Sequence, residues 1–278
     1  MYKGKETAKP QKGNTAIVTV TYNPDKDFAA NLLQARNVAD LVIVVDNGSE
    51  NIGFIREAAL SAGAQLIALG QNTGIAAALN TGIKKAIDAG KKWVLTLDDD
   101  SFPESDILET YARVLGQYPD AGLIGTEFSQ SEGKLPEAAE STTIITSGTL
   151  HKAEIFGAIG FYTEKLFIDC VDFDFVIRLR LSGKYKAVKV GKPLIRHHLG
   201  NPMKKFGILS SNHSPKRRYF WARNTVYLNR EYLLKFPLWI LKKDLYLLKD
   251  TLGIIIVEHN RKEKLKYITK GIRDGFRL

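Results

Sequence analysis

A strand-then-helix alternation, repeated without a break between Thr15 and Ser101, does most to limit the folds open to this chain. Ala16-Ile-Val-Thr-Val-Thr21 is a short β-rich run stopped by the turn pair Asn23-Pro24, and Phe28–Asn37 is helix-like. Leu41-Val-Ile-Val-Val45 is a continuous aliphatic run that ends in Asp46-Asn47-Gly48-Ser49. Such runs belong to parallel strands buried on both faces. Asn51–Ala62 reads as the next helix, Gln65–Leu69 as the third strand and Gly74–Ala89 as a helix of small residues. Trp93–Leu97 is the fourth strand, closed by Asp98-Asp99-Asp100-Ser101. The repetition predicts an α/β fold: a doubly wound, Rossmann-like parallel sheet with helices on both faces. Ligands of such sheets bind beyond the carboxyl ends of the strands. The polar breaks after strands one, two and four are therefore expected to face one cleft.

From about Ala121 to Arg196 the elements are shorter and mixed, with a helix expected over Val171–Leu181, closed by Gly183. Further on, Leu234, Leu238, Leu241, Leu245, Leu248, Leu252 and Ile255 recur at steps of four and three, an apolar helical stripe with Pro237 in its first turn. Lys235, Lys242, Lys243 and Lys249 lie between its members.

Charge also divides the chain, near residue 200. Its 40 Lys+Arg against 30 Asp+Glu give a net +10, a balance that suggests nucleic acid. The excess is local, however: residues 1–200 hold 22 basic and 24 acidic side chains, residues 201–278 hold 18 and 6. We expect a flexible arm over 1–14, an α/β domain from residue 15 and a basic amphipathic helical extension over 231–278. The single cysteine, Cys170, excludes an intrachain disulfide framework and fits a reducing compartment. The start of the sequence lacks the apolar core of a signal peptide, and no run of ~18 apolar residues reads as a membrane span. The expected location is cytoplasmic, peripheral on the inner face of the cell membrane.

The Asp98-Asp99-Asp100 triplet carries the sharpest chemistry. Three adjacent carboxylates repel one another, and a hard divalent cation would relieve that repulsion. The competing reading is a solvated acidic loop before a helix start at Ser101. Asp46 is either a turn former or an acceptor for a nucleoside hydrogen bond. The segment Asn72–Gly82 either packs closely or lets a ligand approach its backbone, and it lacks the Gly-Lys-Ser/Thr of a phosphate-cradling P-loop. Asp172 is a candidate general base. His197 and His198 are candidate imidazole ligands of a metal. Arg217, Arg218 and Arg223, set among Tyr219, Phe220 and Trp221, suit a diphosphate clamp, a nucleic-acid surface or a solvated basic face.

Seven motifs in order together resemble the inverting, metal-dependent family 2 glycosyltransferases of GT-A fold, most of all bacterial rhamnosyltransferases that use dTDP-L-rhamnose. They are Val20–Pro24, Val45–Ser49, Asn72–Asn80, Leu97–Ser101, Phe167–Asp174, His197–Gly200 and Arg218–Asn224, and the resemblance implies a glycosyltransferase domain over 15–230. The resemblance implies that Tyr22, Asn23 and Asp46 contact the nucleoside. Asn72, Gly74, Asp98 and Asp99 would complete the donor site, with Arg217 or Arg218 at the diphosphate. It also implies that Asp100 and His197 bind Mn2+ or Mg2+ and that Asp172 is the catalytic base. Two positions depart from such relatives, which often carry Gln where this chain has Asp99 and Glu where it has Asp174. These bear on the donor sugar more than on the reaction.

The implied partners are a nucleoside-diphosphate sugar and a glycan or lipid-linked saccharide acceptor in cell-envelope polysaccharide synthesis. UDP-galactofuranose or a UDP-hexose is the alternative donor. The C-terminal stripe would meet an anionic membrane, a second copy or its own domain. A nucleic-acid-binding protein leaves the Asp triplet unexplained, so no nucleic-acid partner is expected. A nucleotidyltransferase is the nearer rival.

Overall fold

The computed structural model describes residues 8–127, 136–197, 203–205 and 208–278, with backbone only for His197, Lys204, Lys205, Ile208 and Leu209. The chain forms two compact units, Met1–Thr163 with Phe175–His198, and Glu164–Asp174 with Leu199–Leu278.

The first unit opens with the expected alternation: β1 Thr15–Thr21, α1 Phe28–Val38, β2 Leu41–Asp46, α2 Ile52–Ser61, β3 Gln65–Ala68, α3 Ile75–Asp88 and β4 Trp93–Asp98. Then come β5 Ser101–Pro103, α4 Ile107–Gln117, β6 Ala121–Glu127, β7 Ala138–Glu140, β8 Thr149–Lys152 and α5 Ile155–Ile159. Helix α6, Val171–Leu181, starts in the second unit and ends in the first, which β9 Lys186–Pro193 and β10 Ile195–His197 complete. The main sheet runs β3-β2-β1-β4-β8-β6-β9-β7. Its first four strands are parallel, whereas β8 and β7 run against their neighbours. The sheet is therefore mixed, not parallel throughout. The order 3-2-1-4 reverses between β1 and β4, which makes that crevice the switch point where ligands bind.

Strand alternation accounts for helices on both faces. Ile17, Val42, Val44, Leu95 and Leu97 share a core with Phe28 and Leu32 of α1, Ile55 of α2 and Ile107 of α4. The opposite face takes α3: a Cβ on Gly82 would stand 2.4 Å from Val18 Cγ1 and 3.0 Å from Val45 Cγ2. The small residues of α3 thus serve close packing on the sheet.

The second unit contains β11 Met203–Lys205, β12 Ile208–Ser210, α7 Pro215–Tyr232, α8 Pro237–Val257 and α9 Arg261–Gly275. Ser214 caps α7 through the Arg217 N–H, with Pro215 in the first turn. Helices α7 and α9 approach so closely that a Cβ on Gly271 would lie 2.4 Å from the Tyr219 carbonyl. Close approach of α9 to α7 ties residues 215–232 to the later helices. Helix α8 turns Ile240, Lys243, Gly253, Ile254 and Val257 inward. Its leucine stripe faces out: Leu234 is 97% exposed and Leu238 82%, with Leu241, Leu245, Leu248, Leu252 and Ile255 all exposed. The described residues therefore leave the stripe largely uncovered. No helix among the described residues is long and apolar enough to cross a membrane.

Candidate active site

The carboxyl edge of the first unit is built by loops that bond to one another. Asp46, buried at the end of β2, accepts from the backbone N–H groups of Gly48 (3.3 Å) and Ser49 (3.1 Å), closing its own turn. Ser49 Oγ accepts the Asn23 N–H at 2.8 Å, and Asn23 Oδ1 accepts the Glu50 N–H at 2.8 Å. Asn23 has φ +54°, a left-handed conformation that asparagine tolerates. Asn47 Oδ1 accepts from Thr73 N–H at 2.8 Å, while Asn72 Oδ1 accepts from Asn47 Nδ2 (3.3 Å) and Gly74 N–H (3.0 Å). Gly48 has φ +85°, and a Cβ there would lie 2.6 Å from the Gln71 backbone. Only glycine fits. The structure thus joins Asn23, Asp46, Asn72 and Gly74 in one edge, with Tyr22 half exposed above it.

At the switch point, Asp98 is in register with Val20. Asp99 Oδ2 accepts from Thr21 Oγ1 at 2.9 Å and from the Tyr22 N–H at 3.3 Å, tying the ends of β1 and β4 together. Burial pushes the Asp99 carboxyl above its usual range, against the lowering bonds from Thr21 and Tyr22. Asn31, buried on α1, donates to the Asp99 carbonyl at 2.8 Å, and Ser147 Oγ accepts the Asp98 N–H at 3.0 Å. Sequence reasoning missed both supports, because nothing local links α1 or the loop before β8 to the triplet. The β10–β5 register sets His197 opposite Ser101, one residue past Asp100. The His197 side chain and the whole of His198 lie outside the described residues.

Among the described residues, no three His, Cys, Asp or Glu side chains gather into a metal-holding group. The triplet does supply hard oxygen donors at the β4 end, in Asp98 and Asp100. That donor chemistry fits Mg2+ or Mn2+, ions usually held by one or two carboxylates together with substrate phosphates.

In the second unit Asp172 occupies the first turn of α6, half-buried, and its Oδ1 accepts the Phe173 N–H at 2.8 Å. Burial pushes its carboxyl up to about 6, opposed by Phe173 N–H and by the Lys243 ammonium. The approach to Asp172 is strained: Phe167, Asp169 and Cys170 have φ of +64°, +64° and +61°. Buried Asn224 holds that segment, its Nδ2 donating to the carbonyls of Leu166 (2.8 Å), Ile168 (2.7 Å) and Asp169 (2.8 Å). Arg223 adds bonds to the carbonyls of Lys165 (2.7 Å) and Leu166 (2.9 Å). The order Arg223-Asn224 is plain in the sequence, but its target is not.

The two candidate diphosphate arginines have different fates. Arg218 is 2% exposed and pairs with Asp250 and, at 2.6 Å, Glu258. Glu258 also takes the Lys264 ammonium at 2.6 Å. This buried network joins α7 to α8 and α9 and makes Arg218 a framework residue. Arg217 keeps an exposed guanidinium, 3.2 Å from Asp169 Oδ1. Cys170 is buried, which pushes its thiol well up.

The family described as glycosyl transferase family 2 matches residues 16–173, more than half of the chain. The dTDP-rhamnosyl transferase RfbF of Shigella flexneri is 29% identical over 288 residues, covering 95% of this chain and 96% of that protein. Among solved structures, mannosyltransferase PcManGT from Pyrobaculum calidifontis, in complex with GDP-Man and Mn2+, aligns with a TM-score of 0.62 at 16% identity. That alignment covers 95% of this chain and 75% of the other. S. aureus TarS 1-349 in complex with UDP-GlcNAc aligns with a TM-score of 0.54 at 16% identity, over 95% and 73%. At these identities the solved structures speak to the fold, which they share with GT-A glycosyltransferases.

Proposed function

Since the chain belongs to glycosyl transferase family 2 and is a glycosyltransferase, we propose that it transfers L-rhamnose from dTDP-L-rhamnose, with inversion. The acceptor is a hydroxyl of a glycan or lipid-linked saccharide in cell-surface polysaccharide synthesis. The observation that carries this reading is the near full-length likeness to a dTDP-rhamnosyl transferase. The bonded carboxyl edge at the switch point supports it.

In this reading Tyr22, Asn23 and Asp46 meet the nucleoside, with Asn72 and Gly74 shaping the edge beside them. Asp98 meets the ribose or the sugar, and Asp99 keeps Tyr22 in position. Asp100 and His197 would hold Mn2+ or Mg2+, which when bound offsets charge on the departing diphosphate. Arg217 adds a guanidinium suited to phosphate oxygens. Asp172 accepts the acceptor hydroxyl proton. The freed oxygen bonds to the anomeric carbon as the bond to the diphosphate breaks, its electron pair leaving with dTDP. Asp172 then returns its proton to solvent. A carboxylate held near 6 suits the task, since it is ionised at neutral pH yet basic enough to take a proton.

The exposed stripe of α8, edged by exposed Lys242 and Lys249, supports work on the anionic inner face of the cell membrane. Leu241→Glu/Leu245→Glu should abolish co-sedimentation with vesicles containing phosphatidylglycerol. Unchanged sedimentation, or a dimer in solution that this variant dissociates, would refute the membrane reading.

The donor is tested by release of nucleoside diphosphate from dTDP-rhamnose, UDP-galactofuranose, UDP-GlcNAc and GDP-mannose, with and without EDTA. Release from dTDP-rhamnose alone, stopped by EDTA and restored by Mn2+, is the expected result. Preference for a uridine or guanosine donor would overturn the assignment.

A further inference from the structure

Lys243 is the one inward-facing lysine of α8, 8% exposed, in a row otherwise made of Ile240, Gly253, Ile254 and Val257. A lysine set between the members of the leucine stripe is thus buried, and buried ammonium groups need compensation. Ring faces supply part of it. Its Nζ lies 3.3 Å from the centroid of Phe173, 5.2 Å from Trp239 and 5.9 Å from Tyr246. Phe173 directly follows Asp172 in α6, so the ring that seats the ammonium also fixes it beside the candidate base.

We propose that Lys243 is a positioning residue for catalysis: seated on Phe173, Trp239 and Tyr246, its ammonium holds the neighbouring Asp172 carboxylate in the ionised state. The inference rests on the assignment of Asp172 as the base. The charges around the pair are few. Asp172 meets the Phe173 N–H from its own helix, Asp169 from the preceding segment, and Lys243 from α8. Lys243 in turn meets Asp172, the thiol of Cys170 and Lys242. Asp169 opposes ionisation of Asp172, and Lys243 is the nearby cation that favours it. The influence is mutual: burial draws Lys243 down to about 8, and Asp172 is the chief group resisting that fall. A leucine would fill the space without holding the proton equilibrium.

The test is the pH dependence of kcat/KM with dTDP-rhamnose for the full chain, Lys243→Met, Lys243→Arg and Asp172→Asn. Met retains the length and the ring contacts, while Arg restores the cation. Activity should rise through the Asp172 midpoint near 6, and Lys243→Met should move that midpoint up by about half a unit to one unit. Lys243→Arg should bring it back. The midpoint is the readout, since a purely structural loss lowers the whole curve without moving it. Superimposable midpoints for Lys243→Met and the parent, with Asp172→Asn inactive, would overturn the role of Lys243 and leave the base in place. Turnover retained in Asp172→Asn would overturn the base assignment and this inference with it.

Discussion

The first unit positions its polar edge largely with asparagine amides: Asn23, Asn47, Asn72 and Asn31 pair with backbone groups and with one another beside the carboxylates of Asp46 and Asp99, and Gly48 lets two loops touch. The second unit relies on buried charge. Arg218, Asp250, Glu258 and Lys264 tie its helices together, while Asn224 pins a strained segment ahead of Asp172. Asparagine amides do not titrate and so tolerate changes of pH. A buried ion network is costly to break and depends on pH. The contrast suits the proposed division of labour, in which one edge must keep a fixed shape for a nucleotide and one carboxylate must gain and lose a proton.

The comparison can be broken most sharply at Asp172. Asp172→Asn should cut kcat by ~10²-fold or more while leaving dTDP binding nearly intact, as read by turnover and calorimetry. Next is the ion network: Arg218→Met takes the guanidinium from Asp250 and leaves Glu258 with Lys264 as its remaining cation, and it should cost about 3–5 kcal/mol, measured by urea unfolding. A stable, fully active variant would mean that the network is not the frame of the second unit. Asn224→Ala removes a donor shared by three buried carbonyls and should cost about 2–3 kcal/mol, with turnover falling more than dTDP affinity.

Acid should separate the two units. Burial raises the Glu258 carboxyl, but bonds from Lys264, Ser210 and Arg218 outweigh it and hold the group below its ordinary value. Its contribution is therefore complete above the ordinary glutamate range and lost as pH falls through the lowered value. Asp250, raised by burial despite Arg218, works in the opposite sense. Hydrogen exchange should report earlier loss of protection in α7–α9 than in β1–β4 on acidification, and simultaneous loss would erase the contrast. The smallest effect is expected at Thr21→Val, which removes one bond to Asp99 for about 1 kcal/mol and should raise the donor KM slightly.

Much of the fold was legible because its cause is local. The aliphatic runs of β1, β2 and β4 and the punctuation at Asn23-Pro24 and Asp46–Ser49 mark elements by composition alone, and the parallel order follows from their alternation with helices. The Asp98–Asp100 triplet at a strand end was legible for the same reason. Antiparallel β8, inserted between β4 and β6, was not, because strand partners distant in sequence leave no periodic trace. Arg217 and Arg218 look equivalent in the sequence. They differ only because helical geometry turns one toward Asp250 and Glu258 and leaves the other exposed.

The lysines of α8 mark the limit most clearly. Periodicity alone determined that residues 237–257 form a helix with an apolar stripe and basic neighbours, since a 3.6-residue repeat is a property of the chain itself. Which side of that helix faces inward was decided by tertiary packing. The small and mixed face around Gly253 and Lys243 packs inward, and the leucines stay exposed. Gly253 faces Ser210, and the Phe173 ring accepts the Lys243 ammonium. Hydrophobicity names the residues that can be buried, whereas shape and partner charge select those that are.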